Sequence, residues 1–192
     1  MPLKKLPYTT LDKLIVDNLS IVENFATKEL IKYLKNTKQR GWLLKEELIK
    51  ICYWKSARAI RLIESNHPQT IKRITRSALG SKDEALKILE LTKLKGVGIP
   101  MASAILMLTN PKNYGVIDIR VWEVLYKIGT VKTKPKGVNF HFKEWEVYVD
   151  IISTLSKSHK VSARAIERTL FKVHQDNQDG NLYFSILKRG SK

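Results

Sequence analysis

The stretch from Leu94 to Trp122 constrains this chain more than any other. It reads Leu-Lys-Gly-Val-Gly-Ile-Pro-Met-Ala-Ser-Ala-Ile-Leu, then a short break, then Val-Ile-Asp-Ile-Arg-Val-Trp. Gly96 and Gly98 flank a tight turn, where the missing Cβ permits positive φ and lets another molecule approach the backbone. Pro100 suits the first turn of a new helix, because it has no amide proton to leave unpaired. Amides freed by the turn and the positive end of that helix would point the same way, making a site for one phosphate. The implied partner is a polyanion.

The charge balance agrees. Lys plus Arg number 35 against 18 Asp plus Glu, a formal net charge of +17. Nucleic acid is the first candidate partner, since lysines and arginines gain affinity there by releasing condensed counterions. An anionic membrane is the weaker one: no run of about 18 apolar residues exists to span a bilayer, and Met1 to Tyr8 lack the apolar core of a secretion signal. The single cysteine, Cys52, can form no internal disulfide and no four-cysteine metal or iron-sulfur site. The four histidines fall singly, with no metal-ligand spacing, so no zinc is expected. These features predict a cytoplasmic, nucleoid-associated monomer.

Apolar residues recur at helical spacing nearly everywhere, so an all-α fold is expected, as one domain over 1–192 or as two small helical lobes around a cleft. Segments around Leu11–Leu19 and Ala26–Leu34 begin the pattern. Leu43–Ile51 and Ala57–Ile63 read as two helices separated by Tyr53 and Trp54. Ile71–Leu79 follows, and Ser81, with Glu84 three positions on, reads as the N-cap of the next helix. The hairpin spans 86–108, its second arm Met101–Leu108 ended by Asn110-Pro111, and Ile119–Ile128 is closed by Gly129. Lys132 to Gly137 form a basic, turn-rich loop expected to be mobile. Helical spacing returns from Trp145 to Leu155, and Ser162 caps a last helix. Residues 175–192 read as a C-terminal tail, in which Leu182–Leu187 could pack back as a strand or arm.

Asp118 lies among Val116, Ile117, Ile119, Val121 and Trp122, so a charge stands where its neighbours favour burial, which is costly without a partner. Helix capping explains it locally. An aspartate at a helix start can also turn one oxygen toward a cleft.

Leu94-Lys95-Gly96-Val97-Gly98 followed by Ile117-Asp118-Ile119-Arg120 resembles the core of the helix-hairpin-helix DNA glycosylases, the superfamily of endonuclease III and of the 8-oxoguanine and alkylpurine glycosylases. Its hallmark is a Leu-Pro-Gly-Val-Gly hairpin, a helix, and an aspartate in a Val-Asp-x-His setting. In its bifunctional members a nucleophilic lysine precedes the aspartate by about 18 positions, and the same 18 positions separate Pro100 from Asp118 here. Trp145–Tyr148 and Ser162–Arg168 resemble the closing helices less specifically. The resemblance implies a DNA repair enzyme acting on lesion-containing double-stranded DNA, and a monovalent cation held by the backbone of Lys95, Gly96 and Gly98.

Pro100 stands at the position of the Schiff-base lysine and carries no amine to attack a sugar. What remains resembles the monofunctional members, with Asp118 supporting hydrolysis of the base–sugar bond. A lyase lysine elsewhere is the alternative, with Lys93 or Lys95 nearest in sequence. Arg120 replaces the family's histidine; it could pair with Asp118, cap a carbonyl or hold a phosphate, and the last is favoured because side chains two apart on a helix do not face each other. From Lys93 to Lys143 there are nine basic residues and two acids, so DNA contact is expected of Lys93, Lys95 and Lys112, which flank the hairpin, and of Arg120, while Gly96, Val97 and Gly98 are expected to meet DNA through the turn itself. Trp54, Lys55 and Arg58 are candidates for the base pocket or for the gap left by a flipped base, although a helical tryptophan is commonly core. Met101 is a packing residue that could approach the pocket, whereas Trp122 and Trp145 are assigned to the core. A non-catalytic DNA-binding module of the same fold, with Asp118 only a cap, is the alternative function, and an RNA-binding helical protein is a more distant one.

Overall fold

The computed structural model describes Leu3 and residues 5–178, and its regular structure there is helical. Helices α1 (Leu11–Asn18), α2 (Phe25–Tyr33), α3 (Lys35–Arg40) and α4 (Lys45–Ser56) come first. A single 3-10 turn, Ala57–Ala59, leads into α5 (Ile60–Glu64), then α6 (Pro68–Gly80), α7 (Glu84–Leu91) and α8 (Ile99–Thr109). The series ends with α9 (Ile119–Lys127), α10 (Phe142–Ser158) and α11 (Ala163–Asn177). Among the described residues, no helix is long and apolar enough to cross a membrane.

Three sequence expectations change. Tyr53 and Trp54 do not interrupt a helix but belong to α4, which runs on to Ser56. The N-cap of α7 is Asp83 and not Ser81: the Asp83 carboxylate accepts from the amides of Ala85 (2.8 Å) and Leu86 (3.3 Å), while the Ser81 hydroxyl accepts from the Asp83 amide at 3.0 Å. A carboxylate offers the orphan amides the stronger acceptor. At the other end, α11 runs to Asn177 and Gln178 forms an antiparallel bridge with Leu3, so 175–178 belong to the packed body. The rest of the expected tail, including Leu182–Leu187, lies outside the described residues.

Contacts sort the helices into two groups. In the first, α8 is central: Met101 through Leu108 are buried without interruption, as befits a helix apolar on every side, and α2, α3, α4 and α7 pack around it. In the second, α11 packs against α9, α10 and α1. One hydrophobic cluster runs through both groups, with Trp122 and Trp145 fully buried in it, and α7 meets α10 across the junction.

The irregular segment Gly115–Asp118 enters that junction. Tyr148 of α10 donates its hydroxyl to the Val116 carbonyl (2.9 Å), and the Ser103 hydroxyl of α8 accepts from the Ile117 amide (3.2 Å). Each helix group thus grips one residue immediately before Asp118. Gly115 is needed for the close approach, because a Cβ there would lie 2.6 Å from Glu167 Cβ and 2.9 Å from the Tyr148 hydroxyl. Gly115→Ala must push α10 and α11 outward, and is expected to lower the unfolding free energy by about 1–3 kcal/mol in a urea titration.

Candidate functional site

The glycine turn follows the predicted hairpin, with one amendment. Gly96 adopts φ +80°, a conformation that disfavours any side chain, and a Cβ on it would meet Leu62 Cβ at 2.9 Å and the Ala59 carbonyl at 3.2 Å. Its bare face is therefore filled by α5 and the 3-10 turn rather than left open for a ligand. Gly98 has φ −93° and ψ 178°, extended backbone that any residue adopts. It is the N-cap of α8 and has no side chain to satisfy the first amides of that helix. Pro100 occupies the first turn, as expected.

The hairpin is moored by a residue that sequence reading passed over. Asn66 is buried, and its amide clasps the Lys95 backbone from both sides, donating to the carbonyl (3.0 Å) and accepting from the amide (2.9 Å). Of the three carbonyls expected to hold a monovalent cation, that of Lys95 accepts from Asn66 and that of Gly98 accepts from Met101 and Ala102. A cation there would share both with protein donors. No group of three or more His, Cys, Asp or Glu placed to hold a metal occurs among the described residues.

Asp118 is the N-cap of α9, and its two oxygens divide their work. Oδ1 accepts from the amides of Arg120 (3.0 Å) and Val121 (3.2 Å), satisfying two orphan donors. Oδ2 faces Lys55 Nζ at 3.3 Å, with both side chains only partly exposed, 20% for Asp118 and 16% for Lys55. This pair stands between two hollows. One, of about 360 Å³, lies beneath the hairpin and is bounded by Gly96, Gly98, Pro100, Met101 and the 137–140 loop. The other, of about 500 Å³, lies between α4 and α11, with Trp54 and Phe171 among its walls. Gly137 closes the loop onto α9: a Cβ there would lie 2.8 Å from the Ile119 carbonyl. With the Thr133 carbonyl accepting from the Trp122 indole and Val131 buried just ahead of it, the Lys132–Gly137 loop expected to be mobile is held near both ends.

The structure brings some predicted site residues together and separates others. Lys55, Arg58, Gly96, Gly98, Met101, Asp118 and Arg120 all border the smaller hollow, and Trp54 borders the larger. Val97 is buried beneath the turn, while Lys95 and Arg58 are exposed. Lys93 is exposed but pairs with Glu90 on α7. Lys112 lies apart, in a groove of about 730 Å³ shared with Lys157 and Lys160 that does not include Asp118.

Arg120 is not the surface side chain that the sequence leads one to expect. It is buried, stacked 5.3 Å from the Phe171 ring centre, with Nη1 directed at Gln178 and 3.3 Å from His174 Nδ1. Its guanidinium binds α9 to α11 and leaves the Asp118 carboxylate to Lys55.

Behind the larger hollow lies a buried ionic group absent from the sequence reading. Arg164 donates to Glu23 (2.7 Å) and to Glu167, Arg168 also reaches Glu23 (3.2 Å), and the Arg164 guanidinium lies 5.7 Å from the Trp54 ring centre. Trp54 in turn donates to Thr27 at 2.9 Å. Burial pushes the Glu167 carboxyl above its ordinary range; Arg164 opposes the shift and the Asp118 charge adds to it. Glu23 moves the other way, because Arg164, Arg168 and the Asn24 amide outweigh its own burial and hold it low. The Arg164 spacing from Glu167, three residues on one helix, is the single local clue to this group; Glu23 is 141 residues away from Arg164.

No family model, curated protein or solved structure matches this chain. The assignment of function therefore rests on residues and geometry.

Two measurements test this construction. Asn66→Ala strips the Lys95 backbone of both partners and is expected to cost about 1–3 kcal/mol in urea unfolding, with faster hydrogen exchange at the Lys95 amide. A lowered Glu23 carboxyl contributes stability in full above the unfolded value of about 4.3 and loses it as pH falls through the folded value. Glu23→Gln is thus expected to be less stable at pH 7 and to show a shallower fall of the urea midpoint on acidification.

Proposed function

We propose that this protein is a DNA glycosylase of the helix-hairpin-helix type, hydrolysing the bond between a damaged or mispaired base and its deoxyribose, with Asp118 as the catalytic carboxylate. The single observation that carries the reading is the place of Asp118: it lines two adjoining hollows, one under the glycine hairpin and one with aromatic walls, and its Oδ2 takes no part in capping α9. Breaking a glycosidic bond builds positive charge on the sugar, which a partly desolvated carboxylate stabilises while orienting water. In this reading the amides of the hairpin and of the α8 N-terminus take a phosphate, the sugar lies against Asp118, and the extruded base enters the hollow beside Trp54 and Phe171. Extrusion costs a few kcal/mol, least for damaged or mismatched bases. The chain's +17 formal charge supports a duplex partner.

One observation favours a second reading, a non-catalytic module that binds DNA structure. Asp118 already caps α9 and pairs with Lys55, and a carboxylate so engaged needs no reaction to explain it.

Duplexes carrying uracil, 8-oxoguanine, hypoxanthine or an alkylated purine separate the two. A glycosylase releases one of these bases and leaves an abasic site that hot alkali breaks. Asp118→Asn is expected to slow release by about 10²–10³-fold while duplex binding, measured by fluorescence anisotropy, stays nearly unchanged. Tight binding with no release from any lesion establishes the module instead, and normal turnover by the variant removes Asp118 from the chemistry.

A further inference from the structure

We propose that the outward face of α6 is a second surface for the phosphate backbone of duplex DNA, separate from the hairpin. The proposal rests on the reading of the partner as a duplex, but not on any chemistry at Asp118. Gln69, Lys72, Arg73, Arg76 and Ser77 recur at helical spacing, so they share one face of α6, and together they line a shallow basin of about 400 Å³. The opposite face holds Ile71, Ile74, Thr75 and Ala78, all buried. Thr75 accepts from the Leu43 amide (2.9 Å), which seats the middle of α6 at the start of α4. Lys55 and Asp118 meet at the other end of that helix, and the helical rise from Lys45 to Lys55 puts them about 15 Å away. The basin shares no residue with either hollow at Asp118.

Charge sets this face apart. No acid occurs between Glu64 and Asp83, and among the described residues no carboxylate pairs with Lys72, Arg73 or Arg76. Helices α4, α7, α9 and α10 each carry both signs, the mixture that suffices for solubility. A face of one sign repels itself until an anion covers it. Lys72 is also held in place: its ammonium lies 4.7 Å from the Trp42 ring centre, and the Arg40 guanidinium lies 4.8 Å from the same ring. Arg40 is spent on Glu47, so the charge of Lys72 is the one left for a ligand. Arg73 and Arg76 are exposed beside it, each with a planar fork that matches phosphate oxygens. Gln69 and Ser77 extend the row with neutral donors. An anionic membrane fits less well, because a helix that lies on lipid sinks an apolar face between the headgroups. Ile71, Ile74, Ala78 and Leu79 of α6 belong instead to the core. The repeated phosphates of a duplex ask only for the charges and donors that this face presents.

The test uses the full chain and an undamaged duplex several helical turns long, with binding read by fluorescence anisotropy across a range of salt. Each phosphate contact contributes about −0.9 to the slope of log K against log salt, so the triple variant Lys72→Gln, Arg73→Gln, Arg76→Gln is expected to make that slope shallower by about 2–3. The control triple Lys143→Gln, Lys157→Gln, Lys160→Gln removes the same charge from other exposed positions, and its slope should stay close to that of the unaltered protein. Equal slopes for the two triples overturn the proposal. In the unaltered protein, bound duplex is expected to shield Arg73 and Arg76 from phenylglyoxal, as read by peptide mass spectrometry, and this decides the matter even if the variant misfolds. Full labelling of both arginines in the bound state overturns it. So does a variant that loses binding to phosphatidylserine vesicles while its duplex slope is intact, since the face then belongs to lipid. Base release from a lesion with Arg73 and Arg76 unshielded leaves the glycosylase reading standing and removes this surface; shielding without base release from any lesion keeps the surface and removes that reading.

Discussion

Tyr148 and Ser103 hold the backbone of Val116 and Ile117 from opposite helix groups, and the candidate site depends on this two-sided grip. The backbone there is buried and outside any helix, so its polar groups need protein partners. With those partners in place the chain reaches Asp118 at a fixed depth. Asp118 then starts α9 and meets the end of α4 through Lys55, so four helices from both groups converge on a few residues.

The buried ionic group behind the larger hollow has a different character. Glu167 has left water while Arg164 and Glu23 have left it in part, and their mutual attraction offsets that desolvation through several hydrogen bonds. They join α11 to the segment between α1 and α2, where Ser20 also donates its amide to Thr169 at 2.9 Å. One wall of the hollow is thereby polar and rigid, while Trp54 and Phe171 supply apolar surface. A planar, partly polar group suits such a lining better than a flexible aliphatic one.

Much of the local framework was legible in the sequence because its causes are local. The turn at Gly96, the start of α8 near Pro100, the cap at Asp118 and the Ser162 cap, whose hydroxyl accepts from Ala165 at 3.1 Å, each follow from residues within a few positions. Ser81 and Asp83 illustrate the limit: two short polar residues two apart both suit a cap, and only the geometry of the first turn decides. Trp54 reads as an interruption in the sequence because what fixes an aromatic pair on α4 is distant: its partners are Thr27 and Arg164. Lys55 and Asp118 are 63 residues apart, and Arg120 and Gln178 are 58 apart. Periodicity says nothing about such pairs, since they exist only after the helices have docked.

The divided use of the Asp118 oxygens has a consequence for how this centre fails. Because Oδ1 is spent on the first turn of α9, the carboxylate cannot rotate toward a guest without uncapping its own helix, and its aim is inherited from that turn. Arg120, Val121 and Trp122 of that turn are buried, so it is no fraying end. The heading of Oδ2 is therefore as durable as the apolar interior, and is lost only when α9 itself leaves it.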